Sequence, residues 1–257
     1  MAITIKTKQE IAILREGGRR LAEVLQKLTA EVKPGVSAAA LNTLAEKLIA
    51  DGGDIPSFLG YAPSGAKRPF PAALCVSIND EVVHGIPNEE EKLLKEGDIV
   101  TLDAGLIHEG FFTDSAITVG VGKIDEGAQK LLETTKKALA VGIKAVRAGA
   151  ATGDVGFAIE SFVKPFGFGI VRELAGHGVG YAVHEEPFVP NFGKKGEGMV
   201  LKAGMVIAIE PMLNEGGAGV KLGKDGYTYV TKDGSRSAHF EHTVVVTENG
   251  AEILTTL

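Results

Sequence analysis

The feature that most restricts the fold is an internal repeat of acid-bearing strands. Residues 97–103 (GDIVTLD) align with residues 204–210 (GMVIAIE), and residues 114–119 (DSAITV) align with 241–246 (EHTVVV). Each alignment places a carboxylate at the same point of two strand-like segments. A duplicated unit favours two halves related by a pseudo-twofold axis, whose strands join into one curved, mostly antiparallel sheet.

The helices repeat as well. Apolar residues at helical spacing predict helices over residues 11–32 and 38–50, and again over 128–146 and 152–164. Gly35 precedes Glu46 as Gly149 precedes Glu160, at a constant offset along the chain. The fold class is therefore α+β. We expect one domain, residues 1–257, with repeats of about 1–122 and 123–257.

Alternating and apolar segments predict the strands. Residues 74–78 form one strand, and residues 99–106 and 111–121 form a hairpin with a connection of three to four residues. His108 would then lie in the turn and face solvent. Residues 55–74 contain four prolines and predict an irregular wall.

Composition excludes several classes. Hydrophobic residues make up 44% and charged residues 23% of the 257, as in an ordinary globular protein. The net charge of −6 without a basic patch argues against a nucleic acid as substrate. Cys75 is the only cysteine, so an intrachain disulfide is impossible. No stretch approaches the roughly 18 apolar residues of a membrane helix, and no signal peptide is visible, so we expect a cytoplasmic protein without a membrane partner.

Four carboxylates are the candidate functional groups of the repeated strands. Asp103 and Asp114 lie on the two arms of the hairpin and would point from one face, whereas Glu210 and Glu241 border apolar strands. A buried carboxylate must be paired, protonated or bound to a metal, and these four strands contain no lysine or arginine. A solvated hairpin face is the alternative for the aspartate pair taken alone.

Two histidines stand among glycines in the segment 174–184 (LAGHGVGYAVH). Glycines allow close approach of the backbone, although a histidine near glycines often lies in a turn. Four carboxylates with His177 would suit two divalent cations such as Mn²⁺, Fe²⁺, Co²⁺ or Zn²⁺. Two such cations can bridge a water and lower its pKa, which is hydrolytic chemistry.

These motifs together resemble the methionine aminopeptidase family. In the family's order they are His84-Gly-Ile-Pro, Asp103 and Asp114 at spacing eleven, Gly-His177-Gly, His184-Glu-Glu-Pro, Ile-Glu210-Pro-Met and Phe-Glu241-His-Thr. The resemblance covers nearly the whole chain and implies the pita-bread fold. Residues 211–240 leave no room for the long insertion of type II members, and no zinc-binding extension precedes the motifs, so a type I enzyme is expected.

The resemblance also implies the site. Its metal ligands would be Asp103, Asp114, His177, Glu210 and Glu241, which would hold two divalent ions (Co, Mn, Fe, Zn or Ni). Glu210 would act as general base towards a metal-bridged water. The catalytic and substrate-binding histidines would be His84 and His184, and the pocket would include Tyr61, Phe70, Cys75 and Tyr227.

The implied reaction is removal of the initiator methionine from nascent polypeptides with a small second residue. The enzyme would be a monomer, with the ribosome as a further partner. Tyr227 stands where many type I enzymes have tryptophan, Val183 stands where an aromatic residue is common, and residues 63–67 form an insertion, so the pocket's specificity stays open. His239 and His242 are expected to be structural or peripheral.

Two alternatives remain at this point. A prolidase or Xaa-Pro aminopeptidase shares the fold but normally carries an additional N-terminal domain, for which this chain has no room. A non-catalytic binding module on the same fold would have lost ligands, and all five are present here.

Overall fold

Two similar halves follow each other along the chain. The computed structural model describes residues 3–63 and 65–257. The first half consists of α1 (Lys8–Ala30), α2 (Ala38–Asp51), β1 (Ile55–Pro56), β2 (Leu74–Ile78), β3 (Glu81–Val83), β4 (Ile99–His108) and β5 (Phe111–Gly120). The second half begins with α3 (Glu126–Ala145) and α4 (Thr152–Val163), which a short 3-10 helix (Lys164–Phe166) extends. Its strands are β6 (Gly169–Ile170), β7 (Gly176–Gly178), β8 (Glu185–Val189), β9 (Val206–Ile209), β10 (Met212–Asn214), β11 (Val220–Leu222), β12 (Tyr229–Thr231), β13 (Ser237–His239), β14 (His242–Val246) and β15 (Ala251–Ile253).

Antiparallel pairing organises both halves. In the first, β4 pairs with β5 along its whole length, and β2 and β1 pair with the other edge of β4. In the second, one five-stranded sheet has the strand order β15-β14-β9-β7-β8. Beside it, β10 pairs with β13 and β6, and β12 pairs with β11 and with β3 of the first half. The α+β class and the pita-bread architecture expected from the sequence are confirmed. The strand patterns were readable because each strand alternates between a helix-covered face and an opposite face.

Each half has its own hydrophobic core under its helix pair. Leu21 of α1 and Leu41 of α2 pack with Leu102 of β4, whereas Ile159 of α4 packs with Ile207 of β9 in the second half. Alternation along β4 turns Asp103, the next residue after Leu102, to the face away from the helices. The acid-bearing faces of both sheets are therefore left free for a site.

Helix α1 begins at a capping box, in which Thr7 accepts from the Glu10 amide and Glu10 accepts from the Thr7 amide. Two glycines in its middle have a packing reason. A Cβ atom on Gly18 would lie 2.3 Å from the carbonyl oxygen of Leu254, and one on Gly17 would lie 3.0 Å from Cβ of His108. These glycines, which weaken the sequence signal for a helix, let α1 lie directly on the strands.

The hairpin turn is tighter than expected. Glu109 and Gly110 alone connect β4 to β5, with φ angles of +47° and +84°. Left-handed conformations at both central residues are those of a type I′ turn, which matches the twist of the strands. The expected longer connection is wrong because β4 continues to His108, which pairs with Phe111.

The expected solvated role of His108 is also wrong. Its side chain is only 12% exposed, and its Nδ1 lies 2.7 Å from Oδ1 of Asp54 beyond the end of α2. The insertion 63–67 falls partly outside the described residues, since Ser64 is not among them. No helix in the described part of the chain is long and apolar enough to cross a membrane.

A buried ion pair ties the N-terminal segment to the second half. Nζ of Lys6 lies 2.8 Å from Oε2 of Glu185, and these side chains are 1% and 4% exposed. The Thr4 hydroxyl also donates to Oε2, and the amides of Tyr181 and Ala182 donate to Oε1. Glu185 is thereby fully partnered, although it is buried.

We expect Lys6→Met to lower the free energy of unfolding by about 3–5 kcal/mol, because it leaves a buried carboxylate without its counter-charge. Lys33→Met is the matched control, since the Lys33–Glu31 pair is 64% and 52% exposed and should contribute about 0–1 kcal/mol. Urea unfolding of both variants measures the difference. Equal stability of the two variants would contradict the role of the buried pair.

Candidate metal centre and substrate pocket

The two halves meet where β5 runs beside the start of β14. The Glu241 amide donates to the Ala116 carbonyl at 2.9 Å, and the Asp114 amide donates to the Thr243 hydroxyl at 3.0 Å. That hydroxyl donates in turn to the Asp114 carbonyl at 2.7 Å. These bonds place one acid from each half side by side at the seam.

The other two acids join them. Asp114 pairs across the hairpin with Gly105, two residues beyond Asp103, so both aspartates share one face of the sheet. Glu210 follows β9 directly, and β9 pairs with β14, which begins just after Glu241. All four carboxylates line one cavity of about 220 Å³. The structure thus brings together the four acids that the repeat predicted.

This cluster is electrostatically unstable by itself. Burial raises the pKa of Asp103 to about 7. Burial and the neighbouring carboxylates raise the pKa values of Asp114, Glu210 and Glu241 well above their usual range. Oδ1 of both aspartates and Oε1 of Glu241 are buried without a hydrogen-bond partner among the described residues. Unpartnered buried oxygens of this kind fit a bound cation, which would satisfy them and offset the repulsion.

His177 offers a nitrogen ligand to the same cluster. Its Nδ1 lies 2.9 Å from the Gly178 carbonyl, which can only accept, so the proton is assigned to Nδ1. The Nε2 lone pair then faces the acids, 3.4 Å from Oε1 of Glu210 and 4.0 Å from Oδ2 of Asp114. Burial lowers the pKa of His177 to about 3, which keeps the ring neutral.

The donor set fits a divalent cation. Donor atoms of Asp114, His177 and Glu241 all lie within 4.8 Å of one another. Carboxylate oxygens with one imidazole suit first-row divalent metals rather than Ca²⁺, which binds oxygen alone. Asp103 and Glu210 line the same cavity and could complete a second position.

Glycines beside His177 make this arrangement possible. A Cβ on Gly176 would lie 2.3 Å from the Ala208 carbonyl oxygen, and one on Gly178 would lie 2.2 Å from that of Glu186. Strand β7 is therefore held between β8 and β9 at a spacing that only glycine permits. The glycines flanking the histidine in the sequence serve to bring its ring to the acids.

Two further histidines line the cavity. The ring centroid of His184 lies 4.4 Å from that of His177, and its Nδ1 lies 2.8 Å from the Tyr61 hydroxyl. His84 has a φ of +59°, which a non-glycine residue adopts at some cost and which is typical of functional sites. Burial lowers the pKa of His84 to about 4 and also lowers that of His184. Both rings are therefore neutral hydrogen-bonding groups.

An apolar wall lies next to the acids. Its buried members include Phe70, Cys75 and Tyr227, with the half-buried Tyr61 packed against them. Cys75 pairs with Asp103 between β2 and β4, so the wall and the acid cluster adjoin. Phe58 and Val183 are buried in the same cluster, and Phe58 and Pro63 also line the cavity.

Tyr227 is anchored within this wall. Its ring meets that of Phe70 edge to face at a centroid distance of 5.2 Å, and its hydroxyl donates to the Arg68 carbonyl. Val183 is 3% exposed in the same cluster. The two positions that depart from the family's pattern are thus both part of the wall.

Similarity to known proteins is consistent over the whole chain. The model of metallopeptidase family M24 matches residues 12–248. The chain belongs to metallopeptidase family M24. A methionine aminopeptidase from Aquifex aeolicus is 49% identical to this chain, and the alignment covers 100% of both chains. The family and the metallopeptidase class expected from the motifs are confirmed.

Solved structures are similar to this chain as well. The crystal structure of methionine aminopeptidase from Rickettsia prowazekii matches with a TM-score of 0.94 at 40% identity, over 99% of this chain and 100% of that one. The prolidase from Pyrococcus horikoshii matches with a TM-score of 0.75 at 22% identity, over 98% of this chain and 63% of that one. The second similarity concerns the fold alone.

The M24 site contains one histidine that the sequence pattern did not assign. His239 was expected to be structural or peripheral, but its Nε2 lies 3.8 Å from Oε2 of Glu210 and 3.9 Å from Oε2 of Glu241. Its side chain is 2% exposed, and within the part of the chain that the structure describes neither ring nitrogen has a hydrogen-bond partner. The signal was its spacing of two from Glu241, which predicts a shared face of the strand. His242 lies on the opposite face, where Nδ1 is 2.9 Å from the Thr255 hydroxyl.

We expect His239→Leu to weaken divalent-cation binding about 10- to 100-fold, because groups that contact metal ligands orient those ligands. His239→Gln should keep most of the affinity, since its amide is also a polar group that can contact Glu210 or Glu241. Calorimetric titration with Zn²⁺ measures each affinity. His242→Leu is the control, and the same affinity in both leucine variants would rule out the role.

Proposed function

We propose that this chain removes the N-terminal methionine from nascent proteins and peptides, with a preference for a small second residue. The observation that carries the proposal is the apolar wall directly beside the cluster of four acids and His177. Full-length relatives named methionine aminopeptidase support it. An unbranched thioether side chain suits such a wall, because methionine adapts to apolar and aromatic surfaces.

Five residues would hold two divalent cations. They are Asp103, Asp114, His177, Glu210 and Glu241, and the metal would be Co, Mn, Fe, Zn or Ni. When bound, these cations supply Lewis-acid chemistry, lowering the pKa of a water and polarising the scissile carbonyl. Asp114 and Glu241, which meet at the seam, would be shared by the two cations, Asp103 would hold one of them, and His177 with Glu210 would hold the other.

The protein's own groups would handle protons and orientation. Glu210 would accept a proton from the attacking water, because its carboxylate lines the cavity beside His177. His184 would donate a hydrogen bond to the scissile carbonyl oxygen and stabilise the charge that develops there. His84 would contact the substrate near the leaving nitrogen. Both rings are neutral because burial lowers their pKa values.

The same geometry would limit cleavage to the bond that follows the first residue of a substrate. A substrate's free α-amino group would be drawn to the acidic end of the cavity, while its first side chain occupies the wall of Tyr61, Phe70, Cys75 and Tyr227. The cavity of about 220 Å³ offers space for one side chain. A bulky second residue would press on the wall, which limits the reaction to small ones.

The setting of the reaction is proposed with it. One catalytic domain, residues 1–257 with repeats of about 1–122 and 123–257, would act as a monomer in the cytoplasm. Its partners would be the N-termini of nascent chains, with the ribosome as the place where they emerge. The net charge of −6 suits a cationic N-terminus better than a nucleic acid.

We expect the protein with Mn²⁺ or Co²⁺ to release free methionine from Met-Ala-Ser much faster than from Met-Lys-Ser. Chelation of the metal should abolish the reaction, and added cation should restore it. Asp114→Asn should be inactive because it removes a bridging ligand, whereas Asp51→Asn, whose side chain is 60% exposed, should retain activity. The rate of methionine release measures the activity on each peptide and of each variant.

Absence of cleavage of both peptides would contradict the proposed function. Hydrolysis of Ala-Pro in preference to Met-Ala-Ser would favour a prolidase of the same fold instead. Near-wild-type activity of Asp114→Asn would show that the ligand assignment is wrong.

A further inference from the structure

The proton position on His184 decides what this ring can do. A neutral imidazole carries one N–H, on either Nδ1 or Nε2, and the other nitrogen can only accept. If His184 donates to the scissile carbonyl, as the proposed function requires, the nitrogen that faces the substrate must carry the proton. A group that fixes the tautomer would therefore control the reaction without touching the scissile bond.

Tyr61 forms a hydrogen bond to one of the two ring nitrogens of His184. Its hydroxyl lies 2.8 Å from Nδ1 of His184, and the two ring centroids are 5.4 Å apart at an interplanar angle of 47°. A phenolic hydroxyl is a good donor, and the lone pair of a neutral imidazole is a good acceptor. With the hydroxyl donating, Nδ1 has no proton and Nε2 carries it.

The backbone around His184 is already fixed. The next residue, Glu185, accepts from the amides of Tyr181 and Ala182 and pairs with Lys6 at 2.8 Å. His177 lies on another side of the ring. The remaining freedom is the rotation and tautomer of the imidazole itself, and Tyr61 is the hydrogen-bond partner that the structure gives it.

We propose that Tyr61 is a positioning residue as well as part of the pocket wall. Its hydroxyl donates to Nδ1 of His184 and thereby keeps the proton on Nε2, the nitrogen available to the substrate. This inference rests on the proposed function for its catalytic consequence. The tautomer itself can be measured without any substrate.

Nuclear magnetic resonance tests the tautomer directly. In the Zn²⁺-loaded protein with ¹⁵N-labelled histidine, long-range ¹H–¹⁵N correlation should show His184 with an unprotonated Nδ1 and a protonated Nε2, with His184→Gln providing the assignment. Tyr61→Phe keeps the ring of the wall but removes the hydroxyl, and it should mix the tautomers. Tyr181→Phe is the matched control, because its hydroxyl bonds Glu10 at the surface and should leave His184 unchanged.

Kinetics with Met-Ala-Ser tests the consequence. Tyr61→Phe should lower kcat about tenfold, the effect of one hydrogen bond, and leave KM nearly unchanged because the ring still lines the pocket. In a His184→Ala background, the same change should have no further effect, since residues that act through one another are not additive. Tyr61→Leu should also raise KM by removing the ring.

The outcomes distinguish failure of the positioning role of Tyr61 from failure of the proposed function. A proton on Nδ1 in the wild type, or an unchanged tautomer in Tyr61→Phe, would overturn the positioning role whatever the activity. A raised KM with unchanged kcat in Tyr61→Phe would also overturn it and leave Tyr61 as wall alone. Absence of methionine release by the wild type would instead overturn the proposed function, and the tautomer measurement would still stand.

Discussion

Repulsion among four carboxylates that share one cavity is the constraint on which the rest of the structure depends. Like charges in a medium of low dielectric raise one another's pKa, and burial adds to the effect. The strands nevertheless hold the acids together, because hydrogen bonds across the seam fix their backbone. The Ser115 hydroxyl donates to the Glu241 carbonyl at 2.8 Å, and the His239 amide donates to the Thr118 hydroxyl at 2.9 Å. The energy of folding is thus used to preform a site for cations.

Most residues of the site have a counterpart in the other half of the internal repeat, and His177 does not. Acids come from equivalent places in both halves, so they converge at the seam without a long loop. His84 and His184 are also equivalent in the repeat, and both reach the cavity. His177 has no counterpart, and its ring would give one side of the cluster a nitrogen ligand. The difference between the two sides gives the proposed site a direction for binding substrate.

Local patterns made most of the fold predictable. The four helices follow from apolar spacing and caps, and the strands of the acids follow from alternation next to apolar runs. Two residues show where such patterns end. His108 was misplaced because the turn uses only Glu109 and Gly110, and His239 was overlooked although its spacing from Glu241 was readable.

Contacts between distant parts of the chain could not be predicted from the sequence. The hydrogen bond from Tyr61 to His184 spans 123 positions, and the Lys6–Glu185 pair spans 179. Neither follows from a periodicity, since each depends on how the two halves pack. Both converge on the loop that carries His184, so the proposed catalytic ring is positioned by residues that no local motif reveals.

Anomalous diffraction from crystals grown with Mn²⁺ and methionine tests the central claim most directly. We expect two manganese peaks about 3.5–4 Å apart between Asp114 and Glu241, with the methionine side chain against the wall of Phe70 and Tyr227. Manganese peaks that are absent from this cluster, or methionine bound elsewhere, would contradict it.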